Sequence, residues 1–350
     1  MSLAEESRLP AASAPTPARI LAALTRRDRA WFLEKALTES ELGPRVGFVD
    51  EADLSPARWA GWLEAARPEI LITGWSTPPL PESWLARADC PLRYVCHVAG
   101  SVRNLVPRAF IERGGVVTNW GERINGQVAE HGLLLALAAL RNLAAWKAFI
   151  VRPVDARRLT DLRTRTLFGR RVGLHGFGGV ARALLPLLRP FAVDVRAFSA
   201  GVPETVYSEH GVASVPSLTA LFAHSDVLFE CEALTDSTRG SVSAAVLAAL
   251  PDDAVFVNIG RGGLVDEEAL LQEGRSGRLR LALDVVAVEP LTPSSPLCAV
   301  PNLVLSPHIG GPTADRYADC GVHALANVAR VLAGAAPLDV ISLASYDRAT

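Results

Sequence analysis

The chain has 350 residues, 49% of them hydrophobic and 21% charged, with a formal net charge of −2 at pH 7. That length suits two domains of ordinary size or one large α/β unit. The composition argues against extensive disorder, and the charge balance gives no basic surface for a nucleic-acid partner.

Residues 1–17, rich in Ser, Pro and Ala without periodicity, read as a flexible tail and lack the basic-then-apolar order of a signal peptide. The longest aliphatic run, "LLLALAAL" at 133–140, is too short to cross a bilayer, so no membrane partner is expected and the cytoplasm is the expected compartment. Between 18 and 65, the apolar spacing of "ILAALTRRDRAWFLEKAL" and "PARWAGWLEAA" suits surface helices with one buried face. The β-rich runs "EILITGW" (69–75) and "LRYVCHV" (92–98), joined by a helical crossover in "PPLPESWLARA", predict a small parallel sheet. Residues 119–150 follow, and their Leu/Ala-rich, proline-free second part predicts one long helix buried on several sides.

From 171 onward a regular βαβ alternation begins. Strand candidates lie at 171–177, 192–199, 226–232, 254–260, 280–286 and 302–307, with helical patterns between them. Six such strands predict a doubly wound parallel sheet that displays its ligands at the carboxyl ends of the strands. The last helical pattern, "TADRYADCGVHALANVARVLAG" (313–334), is long enough to return to the first domain. Five cysteines, Cys90, Cys96, Cys231, Cys298 and Cys320, form no CxxC pair and read as apolar fillers in a reducing compartment. His175, His308 and His323 form no ligand cluster by spacing, so no metal is expected.

The first strand of the alternation ends in Gly176-Phe177-Gly178-Gly179-Val180-Ala181, the pattern G-x-G-x-x-A before a helix. In that context it predicts a dinucleotide pyrophosphate site. Gly176 allows the tight turn, Gly178 admits the phosphates, Ala181 keeps the helix close to its strand, and the helix N-terminus offers oriented N–H groups. Plain turn glycines are the other reading. After the second strand, the position of the customary ribose-binding acid falls on Ser199; no carboxylate stands there, and no arginine follows directly to hold a 2′-phosphate. NAD is the expected cofactor, with NADP the alternative.

Three ionisable residues fall at strand ends: Arg261 in "NIGRGG", Glu289 in "LDVVAVEP" and His308 in "VLSPHIGG". Arg261 can hold the carboxylate of a 2-oxo acid and polarise its carbonyl. His308 can give a proton to the carbonyl oxygen as hydride arrives, and Glu289 on the other ring nitrogen would favour the imidazolium. The alternatives are an Arg261 brace to Asp266 or Glu267, a solvated loop position for Glu289, and a turn cap for His308.

With these residues in place, the chain resembles the D-isomer-specific 2-hydroxyacid dehydrogenase family from about residue 92 to 325. The resemblance is carried by "GLHGFGGVARAL", "HSDVLFECEALTDSTRG", "NIGRGGLVDEEAL", "ALDVVAVEP" and "NLVLSPHIGGPT". It implies Arg261, Glu289 and His308 at the catalytic positions. For the cofactor it implies Gly176, Phe177, Gly178, Gly179, Val180, Ser199, Thr235, Asp284 near the nicotinamide amide, and Gly310. The segment "HVAGSVRNLV" resembles the loop that binds the substrate carboxylate, which places Gly100, Ser101 and Asn104 there, with Arg103 as an extra anion contact or a surface ion pair. The implied fold is α/β, with two Rossmann-like domains and an active-site cleft between them: a substrate-binding domain of residues 1–119 plus 312–350, and a dinucleotide-binding domain of 120–311. The helix after "TNWGERINGQVAEH" resembles the family's dimer element, so a homodimer is expected.

Three departures stand out: Ser199 for the acid, Cys231 and Ala233 for a common His and Pro, and "SVRN" in the substrate loop. The expected function is hydride transfer between NAD(P) and a small D-2-hydroxy acid or 2-oxo acid. The alternatives are a phosphorylated 2-hydroxy acid as substrate, or a non-catalytic NAD(H)-sensing interaction module.

Overall fold

The inner strands of both sheets are short aliphatic and β-branched runs buried on both faces, while the strands toward the sheet edges are partly exposed. The computed structural model describes residues 19–348, so the tail expected over residues 1–17 lies outside the described residues. The first sheet contains β1 (Ile20–Ala23), β2 (Val46–Phe48), β3 (Ile70–Thr73), β4 (Tyr94–His97) and β5 (Val116–Thr118), all parallel in the order β2-β1-β3-β4-β5. The second contains β6 (Arg171–His175), β7 (Asp194–Phe198), β8 (Ala213–Ser214), β9 (Val227–Glu230), β10 (Val255–Asn258), β11 (Arg280–Leu283) and β12 (Val304–Leu305). They run parallel in the order β12-β11-β10-β9-β6-β7-β8. The α/β class, the doubly wound sheet expected from the alternation and the second parallel sheet implied by the family resemblance are all present, with β8 as a short seventh strand that the sequence did not announce. The strand order reverses between β6 and β9, the crevice where such sheets bind ligands.

Two local expectations need correction. Residues 20–23, expected in a surface helix, form β1 at the heart of the first sheet, paired to both β2 and β3. Helix begins only at Arg26, after Thr25, whose side chain accepts from Asp28 N. The single long helix expected before 150 is broken: Asn125–Leu140 and Leu143–Ile150 meet at a 57° bend. Asn142 makes the break, with φ of 53° and its side-chain amide donating to Leu162 O at 3.2 Å. Asparagine tolerates this left-handed conformation better than most residues.

Helix Asn125–Leu140 packs on the second sheet through Ala129, Leu135, Ala136 and Ala139, alongside helix Gly179–Leu188. Helix Tyr317–Leu332 packs on the first sheet, where Cys320, Ala324, Leu325 and Val328 join Ile20, Phe32 and Ile72. Each long helix contributes a residue to the cavity between the sheets, Val128 from the first and Tyr317 from the second. Among the described residues, all five cysteines are free, no single helix is long and apolar enough to cross a membrane, and no cluster of three His, Cys, Asp or Glu could hold a metal ion.

Candidate active site

The glycine turn leaves β6 at His175. Gly176 adopts φ of 88°, and a Cβ there would stand 2.6 Å from Cα of Glu232, so the backbone after β9 lies directly against the turn. Gly178 opens helix Gly179–Leu188, and a Cβ on it would meet no atom within 4 Å. Open space at a helix N-terminus is what a pyrophosphate requires, so the turn fits a dinucleotide. Phe177 is buried, its ring 4.7 Å from that of Tyr207, and the backbone is what it can offer a cofactor. Val180 lines the cleft. Ser199 Oγ donates to Glu232 Oε2 at 2.6 Å. Thr235 and Thr238 share a hydroxyl contact of 3.0 Å that ties the loop after β9.

Beneath the turn, His175 Nδ1 and Glu230 Oε2 are 2.5 Å apart, both fully buried. Burial works against the imidazolium, but the charge and hydrogen bond of Glu230 outweigh it and raise the His175 pKa above its ordinary value. The other oxygen of Glu230 accepts from Glu232 N at 3.0 Å.

Arg261 follows β10 on a turn that Asn258 secures, its side chain accepting from Gly260 N at 3.1 Å and donating to Arg261 O at 3.2 Å. The guanidinium is half-buried, and Nη1 donates to Gly260 O at 2.8 Å. Burial lowers its pKa from the ordinary value, against which the Glu289 charge acts. Asp266 caps helix Glu267–Ser276 through Ala269 N, and Glu267 accepts from Ala287 N.

His308 Nδ1 and Glu289 Oε2 are 2.6 Å apart, and Glu289 Oε1 accepts from Val286 N at 3.1 Å. The carboxylate therefore fixes the ring and leaves Nε2 for chemistry. Asp284 braces the same segment. Its backbone oxygen accepts from His308 N, and its carboxylate accepts from Ile309 N, Gly310 N and Ser306 Oγ at 2.9, 2.9 and 2.6 Å, with His131 Nε2 at 3.2 Å. Burial pushes this carboxyl up, but the bonds from His131, Ser306 and the two backbone N–H groups hold it well below the usual range.

Arg261, Asp284, His308 and Gly310 line one cavity of about 680 Å³ with Gly100, Ser101 and Asn104 from the loop after β4. A second volume of about 1000 Å³ holds Glu289, Val286, Leu291 and Leu305, and the two meet at Trp75, Asp284 and His308. Arg103 is not brought into either: it is exposed, and Tyr346 and Asp347 of the C-terminal helix Leu343–Arg348 are its neighbours. Trp75, Trp120 and Tyr317 also line the cleft, with Trp75 edge-on to the other two rings at 6.3 and 6.0 Å. Sequence reasoning passed over these aromatics, although Trp75 follows β3 at the carboxyl edge, where the strand-end rule applies. It also passed over Glu232.

Two doubly wound parallel sheets, an open glycine turn, and an Arg and Glu-bound His facing one interdomain cleft define a two-domain dinucleotide-binding protein. Residues 133–310, just over half of the chain, match the NAD-binding domain of the D-isomer specific 2-hydroxyacid dehydrogenases. The chain belongs to that family, and its cofactor is NAD or NADP. It is 31% identical over 253 residues to D-3-phosphoglycerate dehydrogenase of Mycobacterium leprae, covering 72% of this chain and 47% of that one. It is 30% identical over 244 residues to hydroxypyruvate reductase of Thermotoga maritima, covering 69% and 78%. This chain thus spans about half the length of the phosphoglycerate dehydrogenases it matches. The TT0316 protein of Thermus thermophilus has a similar structure, with a TM-score of 0.77 at 27% identity, covering 93% of this chain and all of that one.

Proposed function

We propose that the protein interconverts a small 2-oxo acid and its D-2-hydroxy acid with NAD(P). The observation that carries this reading is that Arg261 and His308 line one cavity with the Gly100–Ser101 loop of the opposite sheet. When bound, the nicotinamide supplies hydride to substrate C2 in reduction and takes it back in oxidation. Arg261 holds the substrate carboxylate and draws electron density from the carbonyl through its planar donors. His308 Nε2 delivers the proton to the carbonyl oxygen, so the hydride forms the C2–H bond, the carbonyl electron pair moves to oxygen and the proton completes the hydroxyl, and the same nitrogen takes the proton in reverse. Glu289 holds Nδ1 and balances the imidazolium.

Among the described residues lining the two joined cavities, Arg261 is the only Lys or Arg, while Trp75, Trp120, Tyr317, Leu291 and Leu305 give them apolar walls. That lining supports an uncharged, apolar substrate side chain over a phosphorylated one, which would want a second cation. A panel of 2-oxo acids assayed with both reduced cofactors tests the reading. Aromatic or branched aliphatic acids are expected to exceed phosphorylated ones by at least about tenfold in kcat/KM, since each such polar mismatch is worth several kcal/mol. Dinucleotide binding without turnover of any acid would instead identify a sensing module.

A second copy of this chain is the proposed partner. Leu143, Ile150, Val151, Val154 and Leu159 are exposed on the bent segment after residue 140, and apolar residues gathered in this way mark an interface. Light scattering is expected to give twice the mass of one chain; a single-chain mass would refute the pairing.

A further inference from the structure

Position 199, just beyond β7, lacks the carboxylate that commonly receives a ribose hydroxyl in this fold, and Ala200, Gly201, Val202 and Pro203 after it supply none. A carboxylate is nevertheless present there. Glu232 belongs to the loop after β9, and β6 lies between β9 and β7. The Glu232 side chain therefore crosses the carboxyl end of β6 to reach Ser199 Oγ at 2.6 Å. Gly176 makes the crossing possible, because any Cβ there would collide with Cα and N of Glu232 at 2.6 Å. The crossing residue is held at both ends. Its N–H donates to the buried Glu230, which His175 Nδ1 holds from the other side, and its Oε1 accepts from Ala233 N at 2.9 Å. Tyr207 OH accepts from Ser199 N at 2.9 Å and fixes the other side of the contact.

We propose that Glu232 supplies, from a different strand, the acid missing after β7: its carboxylate receives the adenosine ribose 2′-hydroxyl and turns away a 2′-phosphate, which makes the protein selective for NAD. The inference rests on the dinucleotide reading of the glycine turn. A carboxylate accepts strongly from a hydroxyl, whereas a phosphate bearing close to two negative charges meets a fixed like charge with no mobile side chain to move aside. The absence of an acid at position 199 would, taken alone, leave the choice between cofactors open; the Ser199–Glu232 contact closes it.

The test is equilibrium binding, read by nicotinamide fluorescence and by calorimetry without substrate. Wild-type protein is expected to bind NADH about a hundredfold more tightly than NADPH, as like-charge juxtaposition is strongly disfavoured at a contact. In Glu232→Gln, which keeps the side chain's size and removes its charge, that ratio is expected to fall to about tenfold or below, chiefly through tighter NADPH binding. AMP against adenosine 2′,5′-bisphosphate on the wild-type protein gives the same discrimination with no variant to fold. Equal wild-type affinities for the two dinucleotides, or an unchanged ratio in Glu232→Gln, would overturn the inference alone. Failure of wild-type protein to bind either dinucleotide would overturn the glycine-turn reading and the inference with it.

Discussion

With His308 replaced by alanine, kcat for 2-oxo acid reduction is expected to fall by about 10²- to 10⁴-fold, the usual worth of a positioned general acid. The geometry makes this a loss of turnover more than of binding. Glu289 holds Nδ1 at 2.6 Å, so Nε2 is the ring nitrogen available to the substrate oxygen, and the proposed carboxylate grip lies elsewhere, with Arg261 and the Gly100–Ser101 loop that line the same cavity. NADH affinity and KM are expected to stay within a few fold of wild type. Glu289→Gln is the informative companion. The amide oxygen still accepts from Nδ1, so ring orientation is retained while the balancing charge goes, and its kcat should fall between wild type and His308→Ala. Steady-state kinetics with a separate NADH titration decides the matter: near-normal kcat in His308→Ala removes the histidine from the chemistry, and a large rise in KM with unchanged kcat makes it a binding group.

Much of this site was legible because an open α/β sheet has one functional edge. Once β6, β7 and β9 through β12 are recognised as a βα alternation, Arg261, Glu289 and His308 must gather at that edge, whatever their separation along the chain; the two-residue edge strand β8 is too short to read. The first sheet was harder to see. "ILAA" reads as helix or as buried strand with equal ease, since a short apolar run carries no period; its pairing to β2 and β3 decides the matter, and both partners are remote in sequence. β2 and β5 have three residues each, too few for any alternation to register. The Glu232–Ser199 contact was out of reach for a different reason. It depends on a side chain crossing over an intervening strand, and the enabling feature, Gly176, is already accounted for by the phosphate turn. Arg103 illustrates the converse: a cation two residues from the substrate loop's Ser101 is carried to the outer side, beside the C-terminal helix, because neighbouring loop residues diverge where no regular element constrains them.

Replacing Arg261 by alanine is expected to cause the largest loss, because in the proposed mechanism one guanidinium serves two steps. Losing a charge-assisted bond to the substrate carboxylate costs about 1.5–3 kcal/mol, or roughly ten- to a hundredfold in KM. Removing a donor aimed at the carbonyl oxygen costs about 10²- to 10³-fold in kcat, as for other oxyanion-type contacts. Together these predict a fall of about 10³- to 10⁵-fold in kcat/KM. Arg261→Lys separates the contributions. Lysine restores a positive charge but not the planar fork, so it should recover part of the KM effect and little of the kcat effect. The half-buried setting sharpens the contrast, since burial already weighs against a cation there and a shorter-reaching ammonium would be held less firmly. Substrate-analogue binding measured alongside turnover is the check. An alanine variant that binds substrate as tightly as wild type would remove Arg261 from the carboxylate, and a lysine variant with full kcat would show that charge alone, without the fork geometry, polarises the carbonyl.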